Sequence, residues 1–218
     1  MLEKNRLPKF PDSYIGENSQ EYDSSQWMER NQKKTTLLCL QYLADPKLNH
    51  GEFPVKSENK TYLILDLGCG TGFSSEMLAE NGFRVIGIDI LRDMLYKAHN
   101  KRKSISLYNN IFLILADIKH LPLRNNIIDH IISVSAYNFI LDNYLNVENK
   151  LRILNTTAKS LYQLLKENGR IIIEFYPKNE KELEWFSSSF KANGFEGFIV
   201  KSKSKQKSGQ YFLLLQKK

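Results

Sequence analysis

Two acids and three glycines have the spacing expected of a site that binds a nucleoside. Asp66 ends an apolar run and is followed by Gly68, Gly70 and Gly72 in the stretch LDLGCGTG, and Asp89 closes a second apolar run, RVIGID. Glycines in such a turn let a ligand lie against the backbone, and the second acid can accept two hydrogen bonds from a ribose diol. The pattern therefore predicts a ligand that contains a nucleoside.

The spacing of these glycines argues against two familiar phosphate-binding motifs. The dinucleotide fingerprint G-x-G-x-x-G needs its third glycine one place later than Gly72. A Walker phosphate loop needs a G-K-S/T sequence, whereas the residues after Gly72 are Phe73 and Ser74. Both phosphate-binding interpretations are therefore disfavoured.

The elements that must hold these residues alternate between strand and helix. Strands are predicted at 62–67, 84–89, 111–117, 129–135, 170–176, 195–200 and 210–216, and helices at 73–82, 91–102, 147–169 and 179–194. This order predicts an α/β fold with a doubly wound, mostly parallel seven-stranded sheet and an antiparallel C-terminal strand pair.

Two segments precede this alternation. Residues 1–23 are polar, contain Pro8 and Pro11, and are predicted to form an N-terminal arm or lid. A leading helix is predicted at about 24–44, so that the main domain spans 24–218. Residues 49–60 are predicted to form a surface loop.

The composition excludes several classes of protein. Of 218 residues 42% are hydrophobic, and no apolar stretch approaches the roughly 20 residues that cross a bilayer. The first residues lack the apolar core of a signal peptide, so we expect a cytoplasmic protein, nuclear as well if the source is eukaryotic. Cys39 and Cys69 lack metal-ligand spacing, which predicts neither a zinc site nor a disulfide framework.

The net charge of +7 is concentrated in residues 201–218, which hold six lysines and no acid. Four of these lysines fall in Lys201–Lys207, a predicted loop between the last two strands that we call the lysine loop. Such a loop is either a solvated surface or a contact for a polyanion such as RNA.

The glycine turn and the two acids resemble those of class I methyltransferases, which have a Rossmann-like fold and bind S-adenosyl-L-methionine. The resemblance implies that Asp66 helps to hold the methionine end of this cofactor, that Asp89 holds its ribose, and that Asp117 meets its adenine amino group. The other residues assigned to the cofactor are Gly68, Gly70, Gly72, Ile90, Met94, Ile118, Ser135 and Tyr22.

Two classes of methyl acceptor are disfavoured because the sequence lacks the motifs that they require. Methylation of exocyclic base amines is associated with an N/D/S-P-P-Y/F tetrapeptide after the fourth strand, where this chain has Ser135-Ala136-Tyr137-Asn138. Methylation at carbon 5 of pyrimidines needs a nucleophilic thiolate, but Cys69 lies inside the glycine turn and Cys39 in the leading helix. An acceptor with a free lone pair, such as guanine N7, needs no base to remove a proton.

Three longer stretches support a closer resemblance: EYDSSQWMERNQKKTTLLCL, SVSAYNFI and EFYPKNEKELEWFSSSFKANGF. Together they look like the family that makes N7-methylguanosine in small-subunit ribosomal RNA, acts in ribosome assembly and works with a small zinc-binding activator protein. The correspondence runs from Tyr22 to Leu215. Glu174 departs from it, since a neutral amide is expected before Phe175.

Two tyrosines are assigned roles on this basis. Tyr176, next to the rigid Pro177, would stack on a flipped guanine, or would simply order its loop. Tyr22 would close over the methyl donor, or would staple the arm onto the following helix. Because ligands bind at the carboxyl ends of strands in such sheets, Asp66, Asp89, Asp117, Ser135 and Tyr176 are expected to converge on one site.

The third strand suggests where a partner would bind. Ile111–Ala116 carries no charge or proline to block pairing, and in a methyltransferase sheet this strand is an edge. We expect the activator to extend the sheet here, unless a loop of this chain covers the edge. Two further functional hypotheses remain open: a small-molecule or tRNA methyltransferase, and an assembly factor whose binding matters more than its catalysis.

Overall fold

A computed structural model describes residues 9–48, 61–103, 108–142, 144, 146–202 and 210–218. The predicted surface loop at 49–60, the first eight residues of the predicted arm and residues 203–207 of the lysine loop lie outside the described residues. No helix in the described part of the chain has the length and apolar content needed to cross a membrane.

Seven strands form one sheet with the order β3-β2-β1-β4-β5-β7-β6. The strands are β1 (Leu63–Leu67), β2 (Arg84–Asp89), β3 (Ile111–Leu115), β4 (Ile128–Ser133), β5 (Leu165–Phe175), β6 (Phe195–Ser202) and β7 (Gln210–Lys217). The first five strands pair in parallel, and β7 pairs antiparallel with both β5 and β6. The predicted doubly wound sheet with an antiparallel end is confirmed.

The helices cover both faces of this sheet. They are α1 (Gly16–Ser24), α2 (Gln26–Leu43), α3 (Phe73–Glu80), α4 (Arg92–Lys103), α5 (Val147–Leu164) and α6 (Glu180–Ala192). Successive strand residues point to opposite faces, so Ile64 joins a core with α2 and α3, whereas Leu65 joins a core with α5 and α6. Because both faces are covered, the carboxyl ends of the strands are where a ligand can enter.

Helix α6 begins at a point fixed by a capping side chain. Asn179 Oδ1 accepts a hydrogen bond from the backbone N–H of Glu182, 2.9 Å away, and satisfies a donor that the first turn leaves unpaired. The Glu182 carboxylate in turn accepts from the backbone N–H of Lys178. These bonds confine Tyr176, Pro177 and Lys178 to a short turn between β5 and α6.

The helix predicted at 147–169 is too long by five residues. Helix α5 ends at Leu164, and residues 165–169 belong to β5, where Leu165 pairs with Ile128. The apolar periodicity of the helix runs on into Leu165, which is fully buried, so sequence alone did not separate the two elements. Strand pairing decides the boundary, and Asn168 with φ 62° turns the chain where the register shifts.

Candidate active site

A cavity of about 970 Å³ opens at the carboxyl ends of the parallel strands. Its volume lies near the upper end of the roughly 300–1,000 Å³ typical of ligand sites. The predicted site residues that line it are Tyr22, Gly68, Gly70, Asp89, Ile90, Met94, Asp117, Ile118, Ser135 and Tyr176. Three others, Asp66, Gly72 and Pro177, are not among the lining residues.

The glycine turn forms the floor of the cavity between β1 and α3. The backbone N–H groups of Gly68 and Cys69 donate to the carbonyl of Ile88, at 2.8 and 3.0 Å, and so tie the turn to β2. Gly68 has φ 72°, and a Cβ there would lie 2.2 Å from Cβ of Ala136. Only glycine fits this position, which leaves backbone rather than side chain facing the ligand.

Asp89 is held by two backbone donors at the end of β2. Its Oδ2 accepts from the N–H of Gly70 at 2.9 Å, and its Oδ1 accepts from the N–H of Leu91 at 2.8 Å. Burial raises the pKa of the carboxyl, and these hydrogen bonds oppose that effect. The backbone donors leave part of the acceptor capacity of the carboxylate free, and Asp89 lines the cavity, where a ribose hydroxyl could donate to it.

Asp66 lies behind the glycine turn rather than in the cavity. The side chain is fully buried, and its Oδ2 accepts from the hydroxyls of Ser74 and Ser75, both at 2.6 Å. Its Oδ1 has no hydrogen-bond partner among the described residues. Burial raises the pKa of Asp66 to about 6. Asp66 therefore orients Ser74, which does line the cavity, and fixes the start of α3.

The end of the cavity near β3 combines a polar and an apolar wall. Asp117 Oδ1 accepts from the N–H of Lys119 at 3.0 Å, and the Lys119 ammonium lies 3.2 Å from Oδ2. Ile90 is 47% exposed, whereas Met94 is almost fully buried beneath the glycine turn. This wall suits a flat ring with a polar edge, as an adenine would present.

The opposite end is built around the carboxylate of Glu174, which is fully buried and lines the cavity. Its Oε2 accepts from the Ser135 hydroxyl at 2.6 Å, and its Oε1 accepts from Tyr176 OH at 2.7 Å and Gln210 Nε2 at 2.6 Å. Burial raises the pKa of Glu174, and these three donors oppose the rise. Ser135 has φ 56°, a strained conformation for this residue type that recurs at functional sites.

An aromatic group closes the mouth of the cavity on the side of α1. The Phe10 and Phe139 rings stack with centroids 5.0 Å apart, and Tyr14 meets Tyr22 edge-on at 5.7 Å. Helix α1 is held against α4 by the N–H of Gly16, which donates to Asp93 Oδ2 at 2.7 Å. The second half of the predicted arm thus supplies one wall of the site.

Sequence reasoning missed several residues at this site. Asn138, Gln210, Tyr14 and Phe10 had no assigned role, although Asn138 lies in the stretch compared with the base-amine tetrapeptide. No local sequence pattern indicates a role for Gln210. It lies 36 residues from Glu174 along the chain, and only the pairing of β5 with β7 brings the two side chains together.

Three comparisons with known proteins agree with this geometry. Residues 58–213 match the family model described as a methyltransferase domain. The solved structure of magnesium protoporphyrin IX methyltransferase from Synechocystis PCC 6803, with bound S-adenosylmethionine, matches with a TM-score of 0.66. The identity is 20%, and the match covers 95% of this chain and 94% of that chain, so it shows a shared fold.

Two relatives in sequence, both from eukaryotes, cover most of this chain. A probable 18S rRNA (guanine-N(7))-methyltransferase of Dictyostelium discoideum is 28% identical over 93% of this chain and 66% of its own length. An 18S rRNA (guanine-N(7))-methyltransferase of Arabidopsis thaliana is 31% identical over 86% of this chain and 60% of its own length. The chain thus spans less than two thirds of either relative.

Proposed function

The chain belongs to the methyltransferase-domain family, and on this premise we propose that it transfers a methyl group from S-adenosyl-L-methionine to N7 of a guanine in small-subunit ribosomal RNA. The observation that carries the proposal is that one cavity joins a nucleoside site at Asp89 to a second polar end at Glu174 and Tyr176. The names of the relatives support the choice of RNA and of the N7 atom.

The cavity fits the proposed methyl donor in shape and charge. Asp89 has lone pairs free for a ribose, the glycine turn presents backbone, and Ile90 and Met94 offer an apolar surface. Among the described residues, the charged lining consists of three carboxylates, Asp89, Asp117 and Glu174, and two lysines, Lys34 and Lys119. When bound, S-adenosyl-L-methionine supplies a methyl group on a positively charged sulfur, which this lining complements.

The work left to the protein is alignment and exclusion of water. Guanine N7 carries a free lone pair, so no side chain has to remove a proton from it. The glycine turn fixes one reactant, the turn after β5 positions the other, and the aromatic group at the mouth limits the entry of water.

Tyr176 is placed to receive the guanine. It is 43% exposed and lines the cavity, and burial together with the Glu174 charge raises the pKa of its phenol to about 12. The phenol therefore stays protonated and bound to Glu174, which leaves the ring available for stacking on a base turned out of the RNA.

The proposal includes a zinc-binding activator protein that extends the sheet at β3. This strand is an edge, and within the described residues it pairs only with β2. Phe112 and Leu115 are 41% and 58% exposed and point to opposite faces of the sheet, so that a partner strand at this edge would meet an apolar side chain on each face. Leu115→Lys should abolish co-purification with the activator, whereas Lys201→Glu on β6 should not; an intact complex in the first variant would contradict this assignment.

Transfer of a labelled methyl group tests the enzymatic proposal. Purified protein with its activator is incubated with labelled S-adenosyl-L-methionine and small subunits from cells that lack the protein, and the RNA is then digested to nucleosides. We expect the label in 7-methylguanosine. Label in a tRNA or a small molecule, tested in parallel, would instead support the alternative acceptors.

A further inference from the structure

Glu174 is a buried carboxylate side chain that has no cationic partner within the described residues. Its three side-chain contacts are the donors Ser135, Tyr176 and Gln210, and all three are neutral. Burying a carboxylate without a positive partner is costly, and a neutral amide would accept hydrogen bonds at the same place for less. The charge at this position therefore calls for an explanation beyond packing.

The Glu174 carboxylate also affects titratable groups on two neighbouring helices. Burial is the largest cause of the raised pKa of Tyr22 on α1, and Tyr14 is the next. The charges of Asp89 and Glu174 raise this pKa further. Burial is also the largest cause of the raised pKa of the Cys39 thiol on α2, and the charge of Glu174 is the second cause. Two groups on different helices thus respond to the same charge, which no neighbouring cation neutralises.

The reaction proposed above creates a positive charge at this end of the cavity. Guanine N7 supplies the electron pair of the new nitrogen–carbon bond, the pair of the broken carbon–sulfur bond stays on the departing sulfur, and no proton is released. The positive charge therefore passes from sulfur to the guanine ring. A fixed negative charge near the acceptor stabilises that change without having to reorganise.

We propose that Glu174 is the counter-charge for the methylated guanine, acting directly through its field and indirectly through Tyr176. The 2.7 Å hydrogen bond from Tyr176 OH to the carboxylate makes the tyrosine ring more electron-rich. An electron-rich ring binds a cationic base more strongly than a neutral one. This inference rests on the proposed function, because it requires a guanine that becomes cationic.

Binding of two mononucleotides tests the inference apart from catalysis. Affinities of the full-length protein for 7-methylguanosine 5′-monophosphate and guanosine 5′-monophosphate are measured by ligand-observed NMR, at a pH where the methylated base is cationic. Wild type should prefer the methylated nucleotide, and Glu174→Gln should reduce this preference by about tenfold. Glu174→Asp, which keeps the charge, should retain most of it, and Glu148→Gln on α5 serves as a control for loss of a distant charge.

The outcomes separate this inference from the proposed function. A preference that is absent in wild type, or that survives in Glu174→Gln, overturns the assignment of Glu174. Labelled methyl transfer is measured with the same wild-type preparation. If 7-methylguanosine forms while the preference is absent, the inference fails alone; if none forms in any small-subunit RNA, the proposed function fails and takes the inference with it.

Discussion

Asn138 and Tyr176 are joined by two hydrogen bonds. Asn138 Nδ2 donates to the carbonyl of Tyr176, and Asn138 Oδ1 accepts from the N–H of Tyr176, both at 3.0 Å. The pair ties the segment after β4 to the turn after β5, where the acceptor base is proposed to bind. The backbone of Tyr176 is thus fixed by a side chain from another element.

Asn138→Ala should lower methyl transfer to RNA by about 10- to 100-fold, because a small displacement of a positioning residue is costly. The affinity for S-adenosyl-L-methionine should stay unchanged, since the recorded hydrogen bonds of the Asn138 side chain go to Tyr176 and not to Asp89 or the glycine turn. Steady-state kinetics and calorimetry would separate the two effects. Asn149→Ala on α5 is the matched control, and an equal loss in both variants would speak against the clamp.

Asp89→Asn should weaken binding of S-adenosyl-L-methionine by about 10- to 100-fold, since hydrogen bonds to a charged group contribute about 1.5–3 kcal/mol. Isothermal titration calorimetry measures the affinity directly. Asp12→Asn, at an exposed turn outside the cavity, should bind like wild type. Full affinity in Asp89→Asn would show that the ribose is held elsewhere.

Asp66→Asn should change the pH dependence of stability. The pKa of Asp66 is raised from 3.8 to about 6 in the folded state, so the folded state keeps a proton that the unfolded state has released. The resulting stabilisation is fully present below about pH 3.8 and is lost as pH rises through about 6.

The free energy of unfolding of wild type, relative to Asp66→Asn, should therefore fall by about 2 kcal/mol between pH 4 and pH 7. Urea unfolding of both proteins at several pH values gives this difference. Any effect of the asparagine amide that does not depend on pH is the same at every pH and therefore cancels from the change. A difference that does not change with pH would mean that Asp66 is not protonated in the folded protein in this range.

Replacement of Lys203, Lys205 and Lys207 by serine should weaken RNA binding and flatten its salt dependence. If all three lysines contact phosphates, the slope of log affinity against log salt should fall by about 2 to 3. Filter binding at several salt concentrations measures this slope. The same replacement at Lys150, Lys159 and Lys181 controls for net charge, and equal slopes for both triple variants would remove the lysine loop from the RNA contact.

Local patterns were enough to predict the sheet and the meeting of Asp89, Gly68 and Gly70 at one cavity. Asp89 and the glycines follow strands whose apolar runs are short and clearly bounded, and topology then brings them together. The end of α5 was predicted wrongly because apolar periodicity continues through Leu165, and strand pairing with Ile128 is not visible in a local window.

The end of the cavity around Glu174 was harder to predict because it depends on contacts between distant segments. Glu174 and Ser135 are 39 residues apart, and Gln210 joins them from β7. The sequence marked Glu174 as a departure from the family pattern but gave no indication of its partners. The sequence pattern identified Asp66 as the acid before the glycine turn. It did not indicate whether the side chain would face the ligand or the start of α3, because this depends on side-chain packing.

Nucleoside mass spectrometry of small-subunit ribosomal RNA tests the central claim most directly. Cells that lack the protein are compared with cells that carry wild type or Asp89→Asn at equal protein levels. We predict that one 7-methylguanosine is missing without the protein, is restored by wild type and is not restored by Asp89→Asn. A full set of 7-methylguanosine in cells that lack the protein would contradict the assignment of ribosomal RNA as the substrate.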